Sequence, residues 1–517
     1  VESFPVSGYI DRLLLDNRLS VELGDYDLRH LSVKTPYFVL VNQLFDGFDE
    51  LLLIRQLLKV TDQFKVLTNS SQYVDHPLLK PFFYQPFTAQ FQKLNLPLSS
   101  QAIEEAMQSV VSDGKACIIL MDYALRRYEV VRRLQQNRRI IRQLKKFGLP
   151  VVPVHLYANT ARPQGAKVIM RIGSPISVKD QASFKRYRRF GKFVQSRIMA
   201  LGSPLEVKSF YRAAPAEQQE AIAEPVADEL INQEIEQLTF SNLVVSRANF
   251  DVFVADSIQI PHTLKEIGRL REITFRDVGE GSGKSRDLDE YDLYYHHLII
   301  WDREKKKIAG GYRLGKGDEI FNRFGIEGFY IYSLFKIKPG FFPIIKKSVE
   351  LGRSYVTKDY QRHRLPLFLL WKGILHFLLQ NPTYEYLYGP LSISKYYSEL
   401  SKSVIIAFVK RFYFDHQLAR FLEARQPFKA NVSKVDVKVL MENFGDEISK
   451  LDNFIEEIEP AHFRIPVLLK QYARQNAKFI SFNVDPNFSD VLDGFMILNL
   501  KDLPYSTIEA LKDEPEK

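Results

Sequence analysis

Gly268-Arg269-Leu270-Arg271-Glu272-Ile273-Thr274-Phe275 opens the densest polar stretch of the chain, and Glu350-Leu351-Gly352-Arg353 closes it. Arg271 and Phe275 stand four apart, hence on one face of a predicted helix. Asp289 and Asp292 follow in Leu288-Asp289-Glu290-Tyr291-Asp292, and Arg313 ends a predicted strand in Gly310-Gly311-Tyr312-Arg313-Leu314. Taken singly, each has a bland reading: Asp-x-x-Asp is a solvated turn, and Glu-x-x-Arg is a surface helix pair. Around them, residues 251–255, 297–301, 307–313 and 328–334 read as strands, before a helix over 366–379. Mostly antiparallel strands with few helices predict an α+β sheet for this half.

Further upstream, β-like runs at 37–41, 116–121, 151–157 and 167–172 alternate with helical ones at 50–58, 101–111 and 126–147. That alternation predicts an α/β domain. Between the halves, Ala213-Ala214-Pro215-Ala216 leads into seven acids by residue 238, with no Lys or Arg. The stretch reads as an acidic linker with helical portions. The expected organisation is therefore an α/β domain over 1–205, a linker over 206–245 and an α+β domain over 246–517.

The 517 residues carry 71 Lys+Arg against 62 Asp+Glu, a net charge of +9. This length predicts two or three domains, and 45% hydrophobic residues suffice for their cores. Cys117 is the only cysteine, which excludes an intramolecular disulfide framework and suits a reducing compartment. Its setting, Ala116-Cys117-Ile118-Ile119-Leu120-Met121, is that of a buried strand thiol. No uninterrupted apolar run reaches the roughly 18 residues of a membrane-spanning helix, and residues 365–379 contain Lys372. The chain begins with Val1, and no basic segment followed by an apolar core opens it, so no signal peptide is expected. Basic charge concentrates in Arg126, Arg127, Arg132, Arg133, Arg138, Arg139, Arg142, Lys145 and Lys146, at the spacing of an amphipathic helix. A second cluster follows at Lys185, Arg186, Arg188, Arg189 and Lys192. Two clusters in one domain point to an anionic partner, a lipid surface or an acidic protein, or else to a solvated helix face. Nucleic acid is not expected, because no recognised binding module accompanies the charge.

In their order, Arg-x-x-x-Phe, Asp-x-x-Asp, a strand-borne Gly-x-x-Arg and Glu-x-x-Arg resemble the acyl-homoserine-lactone synthase branch of the GNAT acyltransferases. Glu266-Ile267-Gly268-Arg269-Leu270-Arg271-Glu272 and Glu350-Leu351-Gly352-Arg353-Ser354-Tyr355-Val356 resemble the ornithine-lipid synthases, a hemolysin-like family of N-acyltransferases. So do Tyr294-Tyr295-His296-His297-Leu298, Tyr388-Gly389-Pro390-Leu391-Ser392-Ile393-Ser394, Asn483-Val484-Asp485-Pro486 and Asp490-Val491-Leu492-Asp493-Gly494. The resemblance covers roughly residues 246–500. It implies a GNAT-like fold and transfer of a 3-hydroxyacyl chain from acyl carrier protein to an amino acid's amine, giving a lyso-aminolipid. The implied co-substrate is acyl carrier protein thioester, with no permanently bound cofactor. The implied location is cytoplasmic, peripheral on a bacterial inner membrane.

Such chemistry explains the residue types. An α-amine is largely protonated at neutral pH and must lose a proton before it attacks a thioester. Glu350 is the expected base, directly or through a water. Asp289 and Asp292 hold a cationic acceptor or order the neighbouring arginines. Arg271 and Arg353 grip the acceptor's carboxylate or brace these acids, and the resemblance adds Arg313 to the network. The alternative is a buried scaffold without proton transfer. For the donor's phosphate, Gln361-Arg362-His363-Arg364-Leu365-Pro366 leads into a helix N-terminus, so Arg362, His363 and Arg364 are the expected contacts. The glycine-rich loop for coenzyme A diphosphate is absent, which fits a carrier protein's single phosphate. His296 and His297 lack further ligands at metal spacing, so no metal site is expected. Ornithine, lysine, glycine and serine-glycine all remain compatible acceptors.

In the first half, a strand running into Asn42-Gln43-Leu44-Phe45-Asp46-Gly47-Phe48-Asp49 is similar to the first motif of the lysophospholipid acyltransferases. Pro150-Val151-Val152-Pro153-Val154-His155-Leu156 and Arg171-Ile172-Gly173-Ser174-Pro175-Ile176 resemble later ones. The family's catalytic histidine falls on Gln43, whose amide has no basic nitrogen to take a proton. Met121-Asp122-Tyr123-Ala124-Leu125-Arg126 stands where Phe-Pro-x-Gly is due. The resemblance thus implies a catalytically dead domain kept for docking to a membrane, to carrier protein or to a separate O-acyltransferase. His76 and His155, the conceivable replacement bases, read as structural; a bifunctional synthase with an active N-terminal O-acyltransferase and a non-catalytic lipid- or carrier-binding scaffold are the other readings.

Overall fold

The computed structural model describes residues 6–31, 36–45, 47–67, 73–84, 100–121, 130–158, 160, 162–205, 219–429, 434–485 and 491–512. Two compact units emerge. The first comprises Val1–Lys208, Glu399–Val404 and Asn431–Arg464; the second comprises Ser209–Ser398, Ile405–Ala430 and Ile465–Lys517.

In the first unit, the continuous apolar runs of the central strands are buried on both faces, as a helix-covered parallel sheet requires, while the edge strand Ser20–Glu22 stays largely exposed. The strands are β1 (Ser20–Glu22), β2 (Phe38–Asn42), β3 (Phe64–Leu67), β4 (Phe83–Tyr84), β5 (Ala116–Met121), β6 (Val151–Ala158) and β7 (Lys167–Ile172). They form one sheet in the order β1-β7-β6-β2-β5-β3-β4, parallel except for the β6/β7 pair. Cys117 on β5 is fully buried, and burial pushes its thiol up to about 12, so it is no nucleophile. Helices α1 (Phe48–Leu57), α2 (Val130–Phe147) and α3 (Tyr187–Gly202) belong to this unit.

Residues 431–464, read from the sequence as part of the C-terminal domain, lie in the first unit instead. The helix Ile448–Ile458 buries Leu451, Phe454, Ile455 and Ile458 there. Beside them the Glu457 carboxylate accepts from Arg197 at 2.8 Å and from the Ser174 backbone N–H at 3.0 Å, while its carbonyl accepts from Arg171 at 2.7 Å. An amphipathic stripe states that a face is buried but not against which partner.

The second unit is built on an eight-stranded sheet of β8 (Leu243–Arg247), β9 (Phe250–Asp256), β10 (His296–Asp302), β11 (Lys307–Lys316), β13 (Ser348–Val356), β14 (Tyr386–Ile393), β16 (Lys478–Asp485) and β17 (Val491–Asn499). A separate pair joins β12 (Phe335–Ile337) to β15 (Leu422–Ala424). The large sheet runs β16-β17-β14-β13-β11-β10-β9-β8 and is antiparallel except between β13 and β14. The α/β first unit and the α+β second unit agree with the fold class read from the sequence.

From residue 219 on, the acidic stretch, read from the sequence as a linker with helical portions, belongs to the second unit. Its helix α4 (Asp228–Gln237) buries Ile231 and Ile235, and Glu234 accepts from the His262 and Thr263 backbone N–H groups at the start of α5 (Pro261–Asp277). Residues 328–334, expected as a strand, form a 3-10 turn (Gly325–Gly328) and helix α6 (Tyr330–Leu334). Ile331 and Leu334, three apart, are both buried, and the free N–H groups at the start of α6 find side-chain acceptors described below. A five-residue apolar run cannot distinguish the two periods by itself.

The crossover from β13 to β14 runs through α7 (Arg364–Gln380), where the sequence places a helix over 366–379. Leu369, Leu370, Ile374 and Leu375 are buried, and a Cβ at Gly373 would stand 2.8 Å from Val252 Cγ1 and 3.0 Å from Leu298 Cδ1. The helix therefore presses onto β9 and β10. Among the described residues, no helix is long and apolar enough to cross a membrane.

Candidate active site

Parallel pairing of β13 with β14 covers only Ser348↔Tyr386, Val349↔Leu387 and Glu350↔Tyr388, although both strands continue. Beyond that point they separate. Residues 351–354 and 389–392 become the two walls of a cleft of about 230 Å³. Gly389 sits at the fork, where any Cβ would run into the Leu351 carbonyl oxygen.

β13 also bulges at this level. Its Gly352 pairs with Arg313 and its Tyr355 with Gly311, so one extra residue is accommodated on β13. Arg353 occupies the bulge with φ 53°, a left-handed conformation uncommon for a residue with a Cβ. The turn aims its guanidinium at Asp287 (3.1 Å) and Asp289 (3.2 Å) and over the Tyr330 ring (4.9 Å). Asp287 in turn accepts from Arg271, whose other arm donates to Asp292 at 2.8 Å. Arg313 closes the network on Asp289 at 2.5 Å and Asp292 at 3.3 Å. Arg271, Arg313, Asp287 and Asp292 are each at most 3% exposed. Burial raises the carboxyl of Asp292, but Arg271 and Arg313 outweigh it and hold the group ionised far below the usual range. Five residues that the sequence grouped, Arg271, Asp289, Asp292, Arg313 and Arg353, thus meet in one ionic cluster.

Glu350 stands beside this cluster, not in it. Its two oxygens accept from Tyr295 Oη (2.5 Å) and from the Ile331 backbone N–H at the start of α6 (2.8 Å). The Tyr330 N–H donates to the same Tyr295 oxygen at 3.1 Å. Burial pushes Glu350 up to about 7 against these two donors. Residues 351–354 line the cleft, whereas Glu350 does not. His297 donates from Nε2 to the Asp292 carbonyl at 2.9 Å, and burial lowers it to about 4, so it is neutral at physiological pH.

Residues 270–371 match the acetyltransferase (GNAT) domain. The C-terminal region carries a GNAT domain. The glycine N(alpha)-acyltransferase of Phocaeicola vulgatus is 29% identical over 320 residues, covering 57% of this chain and 95% of that protein. The protein of the same name from Bacteroides thetaiotaomicron is 28% identical over 285 residues, covering 52% of this chain and 82% of its own length. Among solved structures, the 1-acyl-sn-glycerophosphate acyltransferase PlsC from Thermotoga maritima is a distant neighbour. It is 11% identical and covers 40% of this chain and 80% of its own, at a TM-score of 0.28, a superposition too loose to carry an argument. The GNAT domain and the relatives' names together make this chain an acyl-transferring enzyme.

Three acids of the GNAT domain's site were not singled out from the sequence. Asp287 joins Arg271 to Arg353, and its signal was the extended spacing Asp287-x-Asp289-x-x-Asp292. Asp493 on β17 and Glu280 after α5 both line the cleft. Asp493 was legible only as part of a motif, since β17 reaches the cleft through its pairing with β14. Arg362 and His363 are exposed at the start of α7, whose first N–H groups have no side-chain cap, and the side chain of Arg364 lies outside the described residues. Among the described residues, no group of three His, Cys, Asp or Glu side chains is placed to hold a metal ion.

In the first unit, the residues of the lysophospholipid-acyltransferase-like motif hold backbone. Asn42 exchanges two hydrogen bonds with Leu156, and Asp49 accepts from the Leu44 and Phe45 N–H groups at 2.6 and 2.8 Å. His155 is buried and lowered to about 4 by that burial, and His76 stacks on Tyr9 at 4.3 Å. The segment 122–126 lies outside the described residues.

Proposed function

We propose that the GNAT domain transfers an acyl chain from acyl carrier protein to the α-amine of a small amino acid, glycine foremost, to form a lyso-aminolipid. The carrying observation is the cleft between β13 and β14, where Arg353 and the carboxyls of Asp493 and Glu280 line one small space. One cation and two acids match a zwitterion, which presents a carboxylate and an ammonium close together. The names of the two relatives support glycine as the acceptor.

The chemistry follows from the shape. Where β14 leaves β13, backbone N–H and C=O groups of both strands lose their ladder partners and can pair with an amide-bearing thioester arm laid between them. The capless N-terminus of α7, with Arg362 and His363 beside it, suits the arm's single phosphate. The ammonium then loses one proton, its nitrogen bonds to the thioester carbon, and the C–S bond breaks as the nitrogen gives up a second proton. The departing thiolate takes up a proton. In this reading Arg271, Asp287, Asp289, Asp292 and Arg313 hold Arg353 at the acceptor's carboxylate, while Glu350 braces Tyr295 and the start of α6. The first unit docks the enzyme to an anionic inner-membrane surface, to the carrier or to a separate O-acyltransferase.

The test is an acceptor competition. The full chain is given 3-hydroxyacyl carrier protein with glycine, serine, ornithine and lysine together, and the products are resolved by mass spectrometry. N-acylglycine is expected to dominate; N-acylornithine in excess would reassign the acceptor.

A further inference from the structure

We propose that Asp493, with Glu280 beside it, receives the acceptor's ammonium group in the cleft and takes the proton that the amine must lose. The assignment rests on the N-acyl-transfer reading and names the proton acceptor that the reading leaves open. Glu350 has both oxygens engaged and lies off the cleft. The carboxyls of Asp289 and Asp292 are committed to Arg313, Arg271 and Arg353. Asp493 and Glu280 line the cleft itself.

Asp493 is 3% exposed and accepts one hydrogen bond, from Ser392 Oγ to Oδ1 at 2.7 Å; no other described residue donates to it. The Glu280 side chain has no hydrogen-bond donor among the described residues. Ser392 of β14, Asp485 of β16, Glu280 after α5, Arg353 of β13 and Tyr330 of α6 act on Asp493 from the surrounding elements. Burial raises Asp493 to about 8, the Ser392 bond and Arg353 oppose that rise, and the charges of Asp485 and Glu280 add to it. Burial likewise raises Glu280 to about 7. A carboxylate in this range is a far stronger base than an ordinary one, as a general base working near neutrality needs to be. In the step, one ammonium proton passes to an Asp493 oxygen and the freed lone pair attacks the thioester carbon. As the C–S bond of the adduct breaks, its nitrogen gives up a second proton to the departing thiolate, and the proton on Asp493 leaves to water, which restores the carboxylate.

The test is the pH profile of acceptor-dependent amide formation for wild type, D493N, E280Q and S392A, each checked for folding by thermal melting. The wild-type rate should rise through about pH 7 to 8. D493N should lose about a hundredfold or more in kcat. E280Q removes a neighbouring negative charge and should move the rising limb to lower pH. S392A removes a donor to the carboxylate and should move it to higher pH. A folded D493N within threefold of wild type, or a limb unmoved in both E280Q and S392A, would overturn the assignment while leaving N-acyl transfer intact. Absence of amide formation by wild type with any amino acid would instead overturn the reading beneath it.

Discussion

Arg353 adopts a left-handed backbone conformation without being glycine, which costs of the order of 1–3 kcal/mol. The bulge is held because its guanidinium then reaches Asp287 and Asp289. Asp287 is the hinge of this arrangement, accepting from Arg271 and facing Arg353 with 3% exposure. D287N keeps the shape but removes the charge between two buried guanidinium groups. We expect the second unit to lose about 3–5 kcal/mol in urea unfolding, the cost of breaking a buried pair from one side. A loss under about 1 kcal/mol would contradict the account of the cluster. The arginines and Asp289 and Asp292 were legible because their order along the chain is distinctive. Asp287 and Asp493 were not, since what distinguishes them is burial beside partners that only the tertiary fold supplies.

Among the elements, the parting of β13 and β14 matters most, and no sequence pattern announced it. Parallel neighbours separated by a crossover helix leave no local turn signal, and where their pairing stops depends on what packs between them. Gly389 is the exception that hindsight can read, a glycine placed where two backbones approach. G389A should cost about 1–3 kcal/mol through overpacking, because a backbone carbonyl cannot move aside as a side chain does. It should also lower acyl transfer by deforming the fork. Wild-type stability in urea with unchanged turnover would show that the fork has slack. Helix α6 and the helix Ile448–Ile458 make the same point from the other side. Each amphipathic stretch declared an apolar face, but neither its period over five residues nor its packing partner was written locally.

At the scale of the whole molecule, the net charge of +9 is less available than the sequence implies. On α2, Arg142 lies over the Tyr187 ring, Lys145 donates to the Gln181 and Phe184 carbonyls, and Lys146 pairs with Glu104. Arg189 pairs with Glu442, and Lys192 stands 3.8 Å from Asp436. Arg138, Lys185, Arg186 and Arg188 are exposed, while the side chains of Arg126, Arg127, Arg132 and Arg133 lie outside the described residues. Each basic side chain near an anionic bilayer contributes about 1 kcal/mol. The variant R132Q/R133Q/R138Q/R139Q should therefore bind phosphatidylglycerol vesicles up to about a thousandfold more weakly, with turnover in solution retained. Unchanged sedimentation with vesicles would remove α2 from the docking surface. The central claim, that the GNAT domain forms an amide at an amino acid's nitrogen, is tested most directly by following thiol release from 3-hydroxyacyl carrier protein with and without glycine. The account predicts release that requires the amino acid and matches N-acyl product one for one. Release that is equally fast without an acceptor, or none from well-folded protein with any amino acid, would contradict it.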